Sequence, residues 1–286
     1  MINPQFGVST WLWTSPFTTE TAFELFPRIK NMGYDLVEIP VEYPEQIDAR
    51  QVKKALDDYE LKAVVCGAFG PSRDFTHTDT KVQQNCHQYI LECFKLCQHW
   101  ETKFLAGPMY AAVGNARMLS PEERKVEWDR AVHNLRVVCE HAAAEGLSIA
   151  LEPLNRFESD MVNTVEDVEK LIQDINHPAA KIMVDVFHMN IEEPDLAKAI
   201  EQAGNKLIHV QIADNYRGTP GTGSVRWDVL SKALAANKYE GAISIESFTP
   251  DIKELAEAVC IWRHLVPDQD AFASDGLAFM KKTFNY

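Results

Sequence analysis

Basic residues are scarce in this chain. Lys plus Arg come to 28 against 42 Asp plus Glu, a formal net charge of −14 over 286 residues. Nucleic acid demands a positively charged surface, so that class of partner is excluded first. Long apolar runs are missing as well. None approaches the ~18 residues of a membrane span, and no membrane partner is expected. The first twenty residues, MINPQFGVSTWLWTSPFTTE, carry no basic segment ahead of an apolar core, so no signal peptide is expected. The six cysteines include no C-x-x-C motif. Cys86, Cys93 and Cys97 share one helical pattern, and Cys66, Cys139 and Cys260 are scattered, which reads as buried thiols rather than a disulfide framework. Reduced thiols without an export signal point to the cytoplasm. A G-x-G-x-x-G turn after an early strand is also lacking, which removes the main argument for an open doubly wound sheet.

What is present is an alternation. Short β-branched apolar runs at 6–10, 36–41, 62–68, 103–108, 148–154, 181–187, 207–213 and 242–248 are strand candidates. Amphipathic stretches separate them, several with legible starts. Ser120, Pro121 and Glu123 make a capping box with proline at the first helical position. Thr80 with Gln83 and Thr164 with Asp167 are similar starts, Thr249 and Pro250 open a helix after the last strand, and Gly146 is placed to stop the long fourth helix. Eight strands, each followed by a helix, spell a single-domain α/β fold, the (β/α)8 or TIM barrel, typically about 250 residues. The surplus length is expected in the fourth helix and in residues 268–286, as an extension packing outside the barrel.

Chemistry in such barrels sits at the C-terminal ends of the strands. Period-two alternation puts Ala150 and Glu152, Met183 and Asp185, His209 and Gln211, and Ser244 and Glu246 on the inward face of the last four strands. Three carboxylates and an amide then meet at one mouth. Three acids buried together need neutralising, and the strands themselves supply no basic residue near these positions. A divalent cation is preferred over separate ion pairs, with Lys181 at a strand start and Arg217 in a loop. Glu152, Asp185, Gln211 and Glu246 offer only oxygen, which suits Mn²⁺ or Mg²⁺ over Zn²⁺. Coordination by His209 would move the balance toward Mn²⁺, Co²⁺ or Zn²⁺. His209 lies a layer deeper than Gln211, so it reads as a partner of a ligand or a satisfied core histidine.

At these residues the chain resembles the ketose 3-epimerases (D-tagatose and D-psicose, or D-allulose, 3-epimerases) among the xylose-isomerase-like barrels. The matching stretches are ALEPLNRFESDMVNT, MVDVFHMNIEE, the RGTPGTG loop and SIES. The resemblance implies one divalent metal on Glu152, Asp185, Gln211 and Glu246, with Co²⁺ acceptable beside Mn²⁺ and Mg²⁺. It implies substrate contacts from Glu158, His188 and Arg217, a small sugar as partner, and a homodimer or homotetramer. One position departs. The epimerases usually carry histidine where this chain has Gln211, and glutamine there is more like the hydroxypyruvate isomerases of the same superfamily.

The expected reaction is C3 epimerisation of a free ketose through an enediolate, with Glu152 and Glu246 exchanging the proton from opposite faces. An aldose–ketose or hydroxypyruvate-type isomerase uses the same enediolate. A lyase or hydrolase acting on 3-oxo sugars could use the same metal and the same pair of acids. A non-catalytic sugar-binding subunit would predict a lost acid at 152 or 246, and neither is lost. Trp11, Trp13 and Phe248 are candidates for an apolar wall against the sugar, and Cys66 ends the third strand without a partner that would make it a nucleophile.

Overall fold

A computed structural model describes residues 4–284. Eight parallel strands close a barrel in sequence order: β1 (Gln5–Ser9), β2 (Leu36–Val41), β3 (Lys62–Gly67), β4 (Phe104–Gly107), β5 (Ser148–Leu151), β6 (Ala180–Asp185), β7 (Leu207–Ile212) and β8 (Ala242–Ile245), with β8 pairing back onto β1. The helices are α1 (Thr19–Met32), α2 (Ala49–Asp58), α3 (Thr80–His99), α4 (Pro121–Ala144), α5 (Val165–Ile175), α6 (Val186–Glu192), α7 (Leu196–Ala203), α8 (Trp227–Ala236), α9 (Lys253–Ala258) and α10 (Gln269–Thr283). Among the described residues no helix is long and apolar enough to cross a membrane.

Alternation along the strands builds two cores. Leu36, Val64, Cys66, Ala106, Ala150 and Met183 point inward and fill the barrel floor. The intervening residues, among them Val37, Ile39, Val65, Val184, Val210 and Ile243, face outward into the larger core beneath the helices. Above the floor the inward positions turn polar: Glu38, Asp185 and Gln211 continue the faces begun by Leu36, Met183 and His209. The barrel is therefore a plug of apolar side chains with a polar layer at its C-terminal mouth.

Helix starts follow local chemistry. Ser120 and Glu123 form the reciprocal capping box that opens α4, and Thr164 with Asp167 opens α5 in the same way. α4 ends at Ala144, ahead of Gly146 with its φ of 70°. Two starts differ from expectation. Asp79, not Thr80, caps α3, because its carboxylate accepts from the Lys81 N–H. After β8, the Thr249 hydroxyl accepts from the Asp251 N–H and donates to the Asp251 carboxylate, and the helix waits until Lys253. Strands β5, β6 and β8 are shorter than expected at their C-terminal ends, because the chain leaves the ladder at the mouth; after Asp185 it turns at once into α6.

The helical ring is completed by α10, since α9 is only six residues long. α10 packs on α1 and α8, burying Phe272, Leu277 and Met280, and the Tyr34 hydroxyl donates to the Ala273 carbonyl at 2.7 Å. Gly276 lets it close on β8: a Cβ there would stand 2.4 Å from Ile245 Cδ1. Residues 285 and 286, the end of the expected C-terminal extension, lie outside the described residues. Meanwhile α9 and its flanks lie at the mouth, where Leu255 and Ile261 pack with Phe248 and Trp11 in a small separate cluster.

Candidate active site

A cavity of about 420 Å³ opens at the mouth, a volume suited to a small-molecule ligand. Glu152, Gln211, Glu246, His188, Arg217 and Glu158 line its inner end. Trp11, Phe69, Phe248, Leu255 and Val259 supply an apolar outer wall. Glu152 and Glu246 each follow the last residue of their strand, β5 and β8, three strands apart around the ring. Asp185 is the last residue of β6 and also caps α6, accepting from the Phe187 N–H at 2.9 Å.

The strands supply no basic residue near the acids, but Arg217, from the loop after β7, reaches them. The loop after β7 folds back into the mouth, pinned by Asp214, whose carboxylate accepts from the Asn215, Gly221 and Val225 N–H groups and the Trp227 indole. Arg217 itself adopts φ 62°, a left-handed conformation that is uncommon outside glycine. The fold holds it there: its N–H donates to the Asp214 carbonyl at 2.8 Å, and its own carbonyl accepts from the Ser247 hydroxyl at 2.7 Å. Its guanidinium donates to Asp185 and, at 3.1 Å, to Glu246, and lies 4.0 Å over the Phe187 ring. Sequence position in a loop said nothing of this reach. Backbone geometry created it.

One guanidinium does not balance the site. Glu152, Asp185 and Glu246 carry a formal −3 when ionised, and Arg217 offsets only one of those charges, while Glu38 and Glu158 add to the excess. Without a cation, burial pushes the Glu152 carboxyl well above the usual carboxylate range, and the neighbouring Glu246 and Asp185 push it further against the pull of Arg217. Glu246 is raised for the same reason, burial first; Arg217 opposes, but its single charge is shared with Asp185. This predicts a stability trend for the metal-free protein. The native state binds the Glu246 proton more tightly than the unfolded chain does. Stability therefore falls as pH rises above the unfolded glutamate value of about 4.3 toward the raised native value. Gln does not titrate, so Glu246→Gln is expected to gain on the parent across that window, by at most about 1.4 kcal/mol per pH unit. Urea unfolding in chelator at pH 5 and pH 8 reads the difference. A gap that narrows with pH would mean Arg217 keeps Glu246 ionised.

The donor set accommodates a cation. One oxygen of Glu152 and one of Asp185 lie within 4.8 Å of each other. The side-chain carbonyl of Gln211, though buried, has no hydrogen-bond partner among the described residues. An orphaned oxygen beside three carboxylates is the kind of atom that a hard cation would satisfy.

His188 is buried, and burial holds its imidazole below the ordinary pKa. The Asn155 N–H donates to Nδ1 at 3.1 Å, which fixes the tautomer with the proton on Nε2. That nitrogen stands 3.7 Å from both Glu152 and Asp185. Glu158 joins through Asn155, whose side-chain amide donates to it at 2.8 Å. Trp13 does not join. It turns away from the cavity: its indole donates to Asp270 at the start of α10 and stacks against Arg28, and Trp11 occupies the wall instead. Cys66 lines the cavity as a thiol, burial pushing its pKa well up.

Sequence reasoning missed Glu38 altogether. It is fully buried on β2, accepting from Gln211 Nε2 at 2.7 Å and pairing with His209 Nε2 at 2.6 Å. The available signal was an acid alone in the apolar strand LVEIPV, which cannot be buried without partners. The residues of α9 that close the outer wall had no signal of their own.

Similarity to known proteins converges on the same barrel. A model of the xylose isomerase-like TIM barrel family matches residues 26–283. A probable ketose 3-epimerase of Synechocystis sp. is 34% identical over 281 residues, spanning 98% of this chain and 96% of that protein. A crystal structure of D-allulose 3-epimerase from Methylomonas sp. in complex with D-allulose superposes with a TM-score of 0.92 at 29% identity, covering 99% of this chain and 98% of that one. The 3-dehydro-D-guloside 4-epimerase of Escherichia coli is 32% identical over 237 residues, 80% of this chain and 88% of that protein. With its closed eight-stranded barrel and acids gathered from the ends of β5, β6 and β8, the chain belongs to the xylose isomerase-like TIM barrel family.

Proposed function

We propose that the protein is an isomerase that inverts C3 of a free ketose, with Glu152 and Glu246 as its proton-transfer pair. The observation that carries this is the placement of two buried carboxylates on β5 and β8, lining one cavity of sugar size. Inversion beside a carbonyl needs a base on one face of the carbon and an acid on the other. Glu152 removes the C3 proton of one epimer, the electrons pass into an enediolate, and Glu246 delivers a proton to the opposite face. The reverse reaction exchanges their roles. Arg217 and the Nε2–H of His188 donate to the oxygens beside the reacting carbon, and Glu158 accepts from a neighbouring hydroxyl. Phe248 and Trp11 cover the rest of the sugar and exclude water.

Glu152, Asp185, Gln211 and Glu246, an oxygen-only donor set, would hold a divalent cation, Mn²⁺ or Mg²⁺, which would supply Lewis-acid polarisation of the carbonyl. Similarity to ketose 3-epimerases over almost the whole chain supports the reading. A second reading is inversion at the carbon beside the ketone of a 3-oxo sugar; similarity to the 4-epimerase favours it.

Incubation in D₂O with a panel of free ketoses, 3-oxo sugars and hydroxypyruvate, followed by NMR, separates these chemistries. Deuterium at C3 of a ketose together with its C3 epimer is the expected result. Deuterium at C4 of a 3-oxo sugar supports the second reading. Label only at C1 and C2, or an elimination product, would overturn both.

A further inference from the structure

We propose that Glu38 is a positioning residue for the cation site, acting through the side-chain amide of Gln211; the inference rests on the proposed cation. An amide group has nearly the same shape either way round, so its neighbours decide which end faces where. Here they leave one choice. Gln211 Nε2 donates to Glu38 Oε1 at 2.7 Å and to Glu246 Oε1 at 2.9 Å. Turned over, the amide would press its oxygen against both carboxylates and aim its N–H groups into the site. As held, both N–H groups are used and Oε1 is left buried without a partner among the described residues, available to a cation.

Of the two acceptors, Glu246 belongs to the proposed ligand set and has its own demands at the mouth. Glu38 stands outside that set. It is fully buried, and its second oxygen is tied to His209 Nε2 at 2.6 Å, so it cannot swing away. The tie crosses the barrel interior from β2 to β7, the strand that also carries Gln211. An anchored acceptor of this kind fixes a ligand's orientation without touching the ion or the sugar.

The test is a double-mutant cycle on Mn²⁺ affinity, read by calorimetry and by electron paramagnetic resonance, with no sugar present. Glu38→Gln offers both a donor and an acceptor, so the amide at 211 can be held either way round. Mn²⁺ affinity is expected to fall about 10–100-fold. Gln211→Leu removes the amide, and in that background Glu38→Gln is expected to cost nothing further. Glu38→Asp, which keeps an obligate acceptor, is expected to retain more affinity than Glu38→Gln and serves where the latter fails to fold by circular dichroism. An equal loss in both backgrounds would overturn the proposal, since a long-range charge effect does not need the amide. Tight binding by the parent with unchanged binding by Glu38→Gln would overturn this inference alone. A parent protein that binds no Mn²⁺ would overturn the cation reading and this inference together.

Discussion

Replacing Glu246 by Gln is expected to lower turnover by roughly 10²–10⁴-fold, the usual worth of a positioned general base or acid. The amide keeps an oxygen where the carboxylate had one, so the fold and the hydrogen bond from Gln211 survive while the proton carrier is lost. Glu152→Gln should cost as much, and the double variant little more than either single, because the two act in one sequence of steps. The solvent-exchange pattern is more telling than the rate. In Glu246→Gln the remaining carboxylate can still remove a proton from its own face and return one there. One C3 epimer should therefore take up deuterium slowly without inversion, and the other should take up almost none. Glu152→Gln should show the opposite preference. Near-normal exchange of both epimers in either variant would rule out a carboxylate on each face.

How much of this could be read from the chain alone follows from the range of the interactions involved. Barrel closure was legible because it is repetitive: eight apolar runs with period-two faces and capped helices such as Ser120–Glu123 each state their own conformation locally. Glu152, Asp185, Gln211 and Glu246 were legible for a related reason, since strand ends of a closed barrel converge whatever the loops do. Loops carry no such rule. Arg217 reaches Asp185 and Glu246 through a loop whose shape depends on four donors gathered by one buried aspartate, Asp214. Trp13 and Trp11 are two residues apart and look alike in sequence. The short helical turn Thr10–Leu12 rotates them away from each other, so one meets Phe248 and the other meets Asp270. Glu38 was hidden for another reason. Its partners His209 and Gln211 are more than 170 positions away in the chain, and only closure of β8 onto β1 brings them across the barrel from it.

Removing the charge of Arg217 should have the largest effect on stability. In Arg217→Met the side chain keeps its length and much of its contact with Phe187, but Asp185 and Glu246 lose their shared counter-charge. Breaking a buried pair from one side typically costs about 3–5 kcal/mol, because the abandoned charge stays buried. The metal-free variant is expected to lose that much at pH 8, measured by urea unfolding. The loss should shrink as pH falls. Arg217 opposes the rise of the Glu246 carboxyl, so without it Glu246 stays protonated to higher pH, and a protonated Glu246 needs no guanidinium. Mn²⁺ should restore most of the loss at pH 8, since the proposed cation would bring its charge to the same carboxylates; it should not restore turnover, because the proposed hydrogen bonds from the guanidinium to the sugar would be lost. This separates two duties of one residue. A variant that is equally unstable at pH 5 and pH 8, and indifferent to Mn²⁺, would show that Arg217 holds the loop after β7 by packing rather than balancing the acids. A variant that recovers both stability and turnover with Mn²⁺ would show that its charge serves the acids alone and that the substrate never touches it.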